Sequence, residues 1–273
     1  MRSLTQEDLP AALRLSRAEG WPHRSEDWRG MLALGKGLTI ASSEDLIGTV
    51  LWWEQGTHAT LGMVIVATAH RGRGHGARLV AEAVAQIGHR NILLHATDAG
   101  QPGYAKLGFS PVGRIHQHLG PTGKMILPDV DLDIARLPAS DIGRITGLDR
   151  AARGWDRMAL LSALIETGTC HVATQNGRVS GYALQRRAGR GIVIGPIVAD
   201  GVETARALVS HILRAPQDTF VRIDSDPRLG LCDWLHEIGL PQVGSGTTMI
   251  RGTLPSSAAT APKLYGLISQ AYG

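Results

Sequence analysis

Arg71-Gly72-Arg73-Gly74-His75-Gly76 joins two stretches of different periodicity. Before it, residues 61–66 (Leu-Gly-Met-Val-Ile-Val) form an apolar run of the kind a strand covered on both faces needs. After it, residues 77–87 carry apolar side chains at helical spacing. Glycines between a strand and a helix permit backbone conformations closed to other residues and let a ligand approach the chain closely. The free N–H groups of such a loop, the positive end of the helix dipole and two arginines all favour an anion. The sequence therefore predicts a turn that holds a pyrophosphate.

Two other ligand readings use the same glycines. A Walker-A loop is excluded because no Gly-Lys-Ser/Thr follows. A dinucleotide fingerprint fits Gly72, Gly74 and Ala77, with Asp98 ending the next strand as the ribose acid. That fold opens on its glycine loop, whereas here a helical pair and a hairpin come first. One strand after the loop stands Tyr104-Ala105-Lys106-Leu107-Gly108-Phe109. Taken in order, the two motifs resemble those of GNAT acetyltransferases: Arg/Gln-x-x-Gly-x-Gly/Ala, met by Arg71, Gly74 and Gly76, and then Tyr-x-Lys-Leu-Gly-Phe. The resemblance spans roughly residues 38–114.

In that family, acetyl-CoA lies where the strand before the loop splays from its neighbour. The resemblance implies that Val64 and Val66, with Ile65 between them, meet the pantetheine arm. The N–H groups of Gly72, Arg73, Gly74, His75, Gly76 and Ala77 would hold the pyrophosphate, with Arg71 and Arg73 at its rim. Thr97 and Lys106 complete the expected cofactor contacts. Thr97 stands where the family commonly has asparagine, and Gly100, Pro102 and Gly103 weaken the helix leading to Tyr104. Tyr104 is the implied general acid, protonating the departing thiolate; a phenol with a reference pKa of about 10 keeps its proton at neutral pH. No general base is identified. Glu54, His95, Asp98 and His116 lie near strand ends that could face the cleft, and Trp21-Pro22-His23 lies where this fold often builds its acceptor wall. His116 and His118 share one strand face, but no third ligand suggests itself, so no metal is assigned.

The order of elements recurs after residue 128. Residues 139–148 and 158–166 read as helices, and 170–174 and 179–185 as a hairpin across Asn176-Gly177. A strand at 191–198, a helix at 202–213, a strand at 219–224 and a helix at 231–238 follow. Matching the halves sets 61–66 beside 191–196 and 104–109 beside 235–240, a distant internal duplication. The expected fold is α/β (α+β): two tandem GNAT-like domains, 1–122 and 129–273, each a mixed, mostly antiparallel sheet flanked by helices, with a linker at 121–128. The second copy lacks the glycine loop and has Leu235 at the tyrosine position. It would cover the acceptor side, recognise a cationic substrate through Asp224 and Asp226, or form a homodimer surface.

Composition limits the alternatives. With 43% hydrophobic and 19% charged residues the chain is an ordinary globular protein. The net charge of +4 comes without a basic run or an aromatic-basic stripe, so no nucleic-acid partner is expected. No apolar stretch approaches the ~20 residues of a membrane span, the start has no signal-peptide character, and two cysteines make no disulfide framework; a cytoplasmic address is expected. The expected activity is transfer of an acetyl group from acetyl-CoA to the amine of a small molecule or peptide. A non-catalytic acyl-CoA-binding protein and an NAD-dependent oxidoreductase are the alternatives.

Overall fold

The computed structural model describes residues 1–42, 45–122, 132–214, 219–255 and 260–273. The expected linker lies, beyond residue 122, outside the described residues. The first half runs β1 (Arg2–Ser3), α1 (Leu9–Ala18), α2 (Ser25–Leu34), β2 (Lys36–Ala41), β3 (Leu46–Gln55), β4 (His58–Val66), α3 (His75–Ile87), β5 (Asn91–Ala96), α4 (Gln101–Lys106) and β6 (Ser110–Pro121). The second runs β7 (Asp133–Leu137), α5 (Gly143–Arg153), α6 (Met158–Thr167), β8 (Thr169–Gln175), β9 (Arg178–Ala188), β10 (Gly191–Ala199), α7 (Val202–Arg214), β11 (Phe220–Ser225), α8 (Leu231–Glu237), β12 (Gln242–Arg251) and β13 (Lys263–Gly266).

Local signals account for much of this. Asp8 closes a capping box on Thr5 before α1, and Gly20 takes a positive φ just after it. A second box opens α2: Arg24 is the cap, and its N–H donates to Asp27 at 2.8 Å. Asn176 and Gly177 both have positive φ, as the tight β8–β9 turn requires. In α3 the residues Leu79, Val80, Ala83 and Ile87 face the sheet, and in α7 Ala205, Leu208, Val209 and Ile212 do the same.

The duplication is visible in the topology. Each half has a hairpin, a parallel crossover through a long helix, and a short helix leading into a last strand; β4–α3–β5 matches β10–α7–β11. The only parallel pairs among the described strands are β4 with β5 and β10 with β11. The two sheets nevertheless join into one of thirteen strands, in the order β1-β2-β3-β4-β5-β12-β6-β11-β10-β9-β8-β7, with β13 on β10. The last strands are exchanged. β12 pairs β5 of the first half, while β6 pairs β11 of the second.

Packing between the halves follows from this exchange. The sheet face opposite α3 carries a core drawn from both, including Leu51, Trp53, Met63, Leu164, Tyr182 and Tyr272. Polar bonds fix the register: the Trp155 indole donates to Gln55 Oε1 at 3.0 Å, and Gly189 N–H donates to Asp27 at 3.0 Å. Behind them Arg157 and Asp149 form a buried ion pair at 2.8 Å, with Tyr182 O–H donating to the same carboxylate. Each charge there has a partner and further hydrogen bonds, which is the condition for tolerating burial.

Candidate active site

β4 and β5 pair in parallel only from His58 to Thr60; beyond that they separate, while β5 keeps β12 along its other edge. The separation coincides with a bulge. Met63 has φ 53° and the β3–β4 register slips between Thr49 and Leu51. An extra residue in a strand re-aims every side chain after it. Ala59 and Leu61 pack on the α3 side, whereas Met63 and Ile65 pack on the opposite face. Val64 is thereby turned toward α3, where it joins the apolar cluster that also holds Tyr104 and Phe109. The continuous apolar run 61–66 thus reflects a strand that changes faces midway. Ile65 falls on the far side from the two valines.

The glycine loop follows. Gly72 and Gly74 have φ of 74° and 77°, and Gly74 is the cap of α3. A Cβ on either would meet nothing within 4 Å, so backbone conformation, not crowding, calls for glycine there. The first hydrogen bond of α3 runs from Arg78 N–H to Gly74 O at 3.0 Å. The N–H groups of the six residues 72–77 therefore have no partner among the described residues, a helix start left open for an anion. Gly76 is different: its φ is ordinary, and a Cβ there would touch only Val66 Cγ2, at 3.6 Å. Arg73 is exposed at the loop edge, while Arg71 straps the loop down, donating to Val66 O at 3.1 Å and pairing with Glu19.

Tyr104 lies in α4, its ring edge-on to Phe109 at 5.9 Å. Burial pushes its pKa up to about 12, so the phenol is a proton donor at any physiological pH. Its hydroxyl has no protein hydrogen-bond partner among the described residues. Thr97 holds the turn into α4: its Oγ1 accepts from Gly100 N–H at 3.3 Å, and its carbonyl accepts from Gln101 N–H at 3.0 Å. Lys106 stands exposed at the end of α4.

The proposed base positions scatter. Glu54 is held by Lys36 at 2.8 Å and Arg90 at 3.4 Å, away from the cleft, and Asp98 is exposed. His95 lies on β5, facing away from α3; one ring nitrogen bonds Thr248 Oγ1 at 3.1 Å and Nε2 is buried without a partner. Burial depresses its pKa to about 3. His23, from the α1–α2 turn, is half-buried with Nδ1 enclosed; desolvation outweighs the field of Asp27 and, aided by Arg222, takes its pKa down to about 4. Asp224, fully buried on β11, accepts from Arg222 at 2.9 Å and from Gln270 at 3.2 Å. The sequence did not show that the last residues, 267–273, come back across this face: a Cβ on Gly62 would meet Ala271 Cα at 3.0 Å, and Tyr272 packs on Trp53 at 4.7 Å.

The second half carries the same splay in a different state. β10 pairs β11 only at Ile192 and Val193, and its remaining length pairs β13 from Ile197 to Ala199. Leu267 N–H then donates to Asp224 O at 2.8 Å, so the chain itself fills the gap between β10 and β11. A Cβ on Gly195 would lie 1.8 Å from Leu267 O. In place of the glycine loop stands Asp200, whose Oδ1 accepts from Thr204 Oγ1 at 2.9 Å, followed by Glu203. Carboxylates at that helix start oppose an anionic ligand.

A splayed parallel pair beside a crossover helix, built twice, with the glycine loop in the first copy, defines a tandem acyltransferase of the GNAT class. The acetyltransferase (GNAT) domain family matches this chain twice, at residues 35–111 and 145–266, and the chain belongs to that family. An N-acetyltransferase of Bacillus subtilis (strain 168), YitH, itself described as uncharacterized, is 28% identical over 99% of this chain and 97% of its own length. A protein named holothin acyltransferase from a Pseudoalteromonas species is 26% identical over 72% of this chain and 68% of its own. Among solved structures, a putative acetyltransferase from Pyrococcus horikoshii has the same fold, with a TM-score of 0.83 at 20% identity, covering 100% of this chain and 95% of that one. A tandem GNAT protein from the clavulanic acid pathway superposes with a TM-score of 0.63 at 14% identity, covering 94% and 99%. No described helix is long and apolar enough to cross a membrane.

Proposed function

We propose that the chain transfers an acetyl group from acetyl-CoA to the amine of a small molecule or peptide, and that only the first half binds the donor. The observation that carries this reading is the contrast between two equivalent clefts. One ends at six unpaired N–H groups with open space around them; the other is filled by β13 and faced by carboxylates. The pyrophosphate would accept from the N–H groups at 72–77, and the pantetheine arm would lie against Val64 and Val66. The amine nitrogen attacks the thioester carbonyl, the C–S bond breaks and the sulfur takes the Tyr104 proton; the proton left on nitrogen passes through solvent to restore the phenol as the amide forms. A phenol that stays protonated beside a departing thiolate of reference pKa about 8.5 suits that step.

The acceptor side is the face shared by both halves, opposite α3, where Asp224 is buried and His23 and His95 are half-buried. His95 is neutral at physiological pH and too weakly basic to draw a proton from an ammonium group, so the amine would shed its proton to solvent before attack. Titration calorimetry with acetyl-CoA, run beside NADH, tests the donor. One acetyl-CoA site per chain, with NADH inert, supports the reading. Absence of acetyl-CoA binding refutes it.

A further inference from the structure

His116 and His118 alternate on β6 so that both point to the face covered by α8, and α8 presents Cys232 to them. One ring nitrogen from each histidine and the cysteine sulfur all lie within 4.8 Å of one another. The sequence offered two ligands and no third; the strand exchange supplies it, because β6 belongs to the first half of the chain and α8 to the second.

The details of His118 point the same way. Its side chain is 98% buried, and Nδ1 bonds the Leu240 carbonyl at 2.9 Å. A carbonyl only accepts, so the proton sits on Nδ1 and Nε2 is left as a bare lone pair. That nitrogen is buried with no hydrogen-bond partner among the described residues. A buried polar atom with nothing to bind is costly, and native structures rarely keep one without use. A ring nitrogen fixed as an acceptor by a carbonyl on its other side is the usual posture of a metal-bound histidine. Among the described residues, Cys232 has only a long contact, 3.9 Å, to the Ser225 carbonyl. Ser225 pairs with His116 across the β11–β6 ladder, and its own hydroxyl is buried and unpaired. His116 is half-exposed, which leaves the cluster open to solvent on one side.

We propose that His116, His118 and Cys232 bind one zinc-class divalent ion, a His₂Cys site that ties the last strand of the first half to the short helix of the second. Two imidazoles and a thiolate are borderline-to-soft donors, which select zinc over magnesium or calcium. Metal–ligand distances of about 2.0–2.3 Å put tetrahedral donors about 3.3–3.7 Å apart, within a small side-chain adjustment of the present cluster. The fourth position falls to solvent. His236, one turn beyond Cys232 on the same face of α8, is a side chain of ligand type that could close it. The ion lies on the opposite face of the sheet from the acceptor side, so its role is structural.

The test uses the untagged full chain, freed of metal by chelation under reducing conditions and titrated with Co²⁺. The expected result is one ion per chain, a thiolate-to-cobalt charge-transfer band in the near ultraviolet, and tetrahedral bands in the visible. Zn²⁺ displaces the cobalt and raises the unfolding temperature. Cys232→Ser and His118→Gln lose the thiolate band, while Cys170→Ala, which removes the other thiol, keeps it. A wild-type chain that shows no thiolate band at saturating Co²⁺ overturns the proposal, whether or not the variants fold. So does a band that survives Cys232→Ser.

Discussion

Replacing Gly76 with alanine separates the cost of the glycine loop to the fold from its value to the ligand. Gly76 is the second residue of α3, its φ is in the ordinary range, and the new methyl would meet only Val66 Cγ2, at 3.6 Å. Nothing in the protein resists it. Alanine also removes freedom from the unfolded chain, so the variant should be more stable by about 0.4–1 kcal/mol. For a chain of this length that is a rise in Tm of about 1–3 °C. The motif admits alanine at this position and the residue keeps its N–H, so the Kd for acetyl-CoA should hold. Gly74→Ala is the contrast, since φ 77° makes it destabilising by about 1–2 kcal/mol. A loop that relaxes from that φ loses at least one charge-assisted hydrogen bond, about 1.5–3 kcal/mol, and should bind acetyl-CoA at least 10-fold more weakly. Differential scanning calorimetry and titration calorimetry on the same samples read both effects. A Gly74→Ala protein that still binds acetyl-CoA with unchanged Kd would refute the placement of the donor.

Other variants test other parts. Tyr104→Phe should lower kcat by about 10²-fold or more while the Kd for acetyl-CoA holds, because the hydroxyl is assigned to proton transfer and not to binding; an unchanged kcat removes the general acid. His95 has a folded pKa near 3 against about 6.5 unfolded, so its contribution is fully present above pH 6.5 and is lost as pH falls toward 3. Urea titrations from pH 7 to 4 should show stability falling less steeply in His95→Gln than in the parent, and parallel curves would contradict that assignment. Gly195→Ala places a methyl 1.8 Å from the Leu267 carbonyl and should destabilise by about 1–3 kcal/mol, with β13 exchanging its amide hydrogens faster. Normal protection of β13 in that variant would mean the second cleft is not closed by this contact.

The parts of the fold set by local chemistry were readable in the chain. Gly72, Gly74 and the helix that follows announce a strand–loop–helix unit because positive φ and helical period are written in single residues and short windows. The Asn176-Gly177 turn is legible for the same reason. The bulge at Met63 was not, since Leu61 and Met63 are equally apolar and only their packing shows that they face opposite sides. Nor was the exchange of β6 and β12, whose pairing depends on edges more than a hundred residues apart in sequence. β7, β12 and β13 lack strong alternation and were not anticipated as strands. The site divides along the same line: Gly72–Ala77 and Tyr104 carried motifs, whereas the meeting of His116 and His118 with Cys232, or of His23 with Arg222, comes from long-range pairing.

The exchanged strands also set a schedule for synthesis. β5 and β6 are complete once residue 121 has left the ribosome, but the strand that lies between them ends at residue 251. At about 5–20 residues per second the intervening chain takes on the order of ten seconds to emerge. Through that interval the first half holds an open edge on β5, the edge that β12 covers in the finished chain. A neighbouring polysome could fill it with its own β12, so refolding yield should fall steeply with protein concentration. Expressing the first half alone would leave that edge without β12, and expressing the second alone would leave β12 without β5.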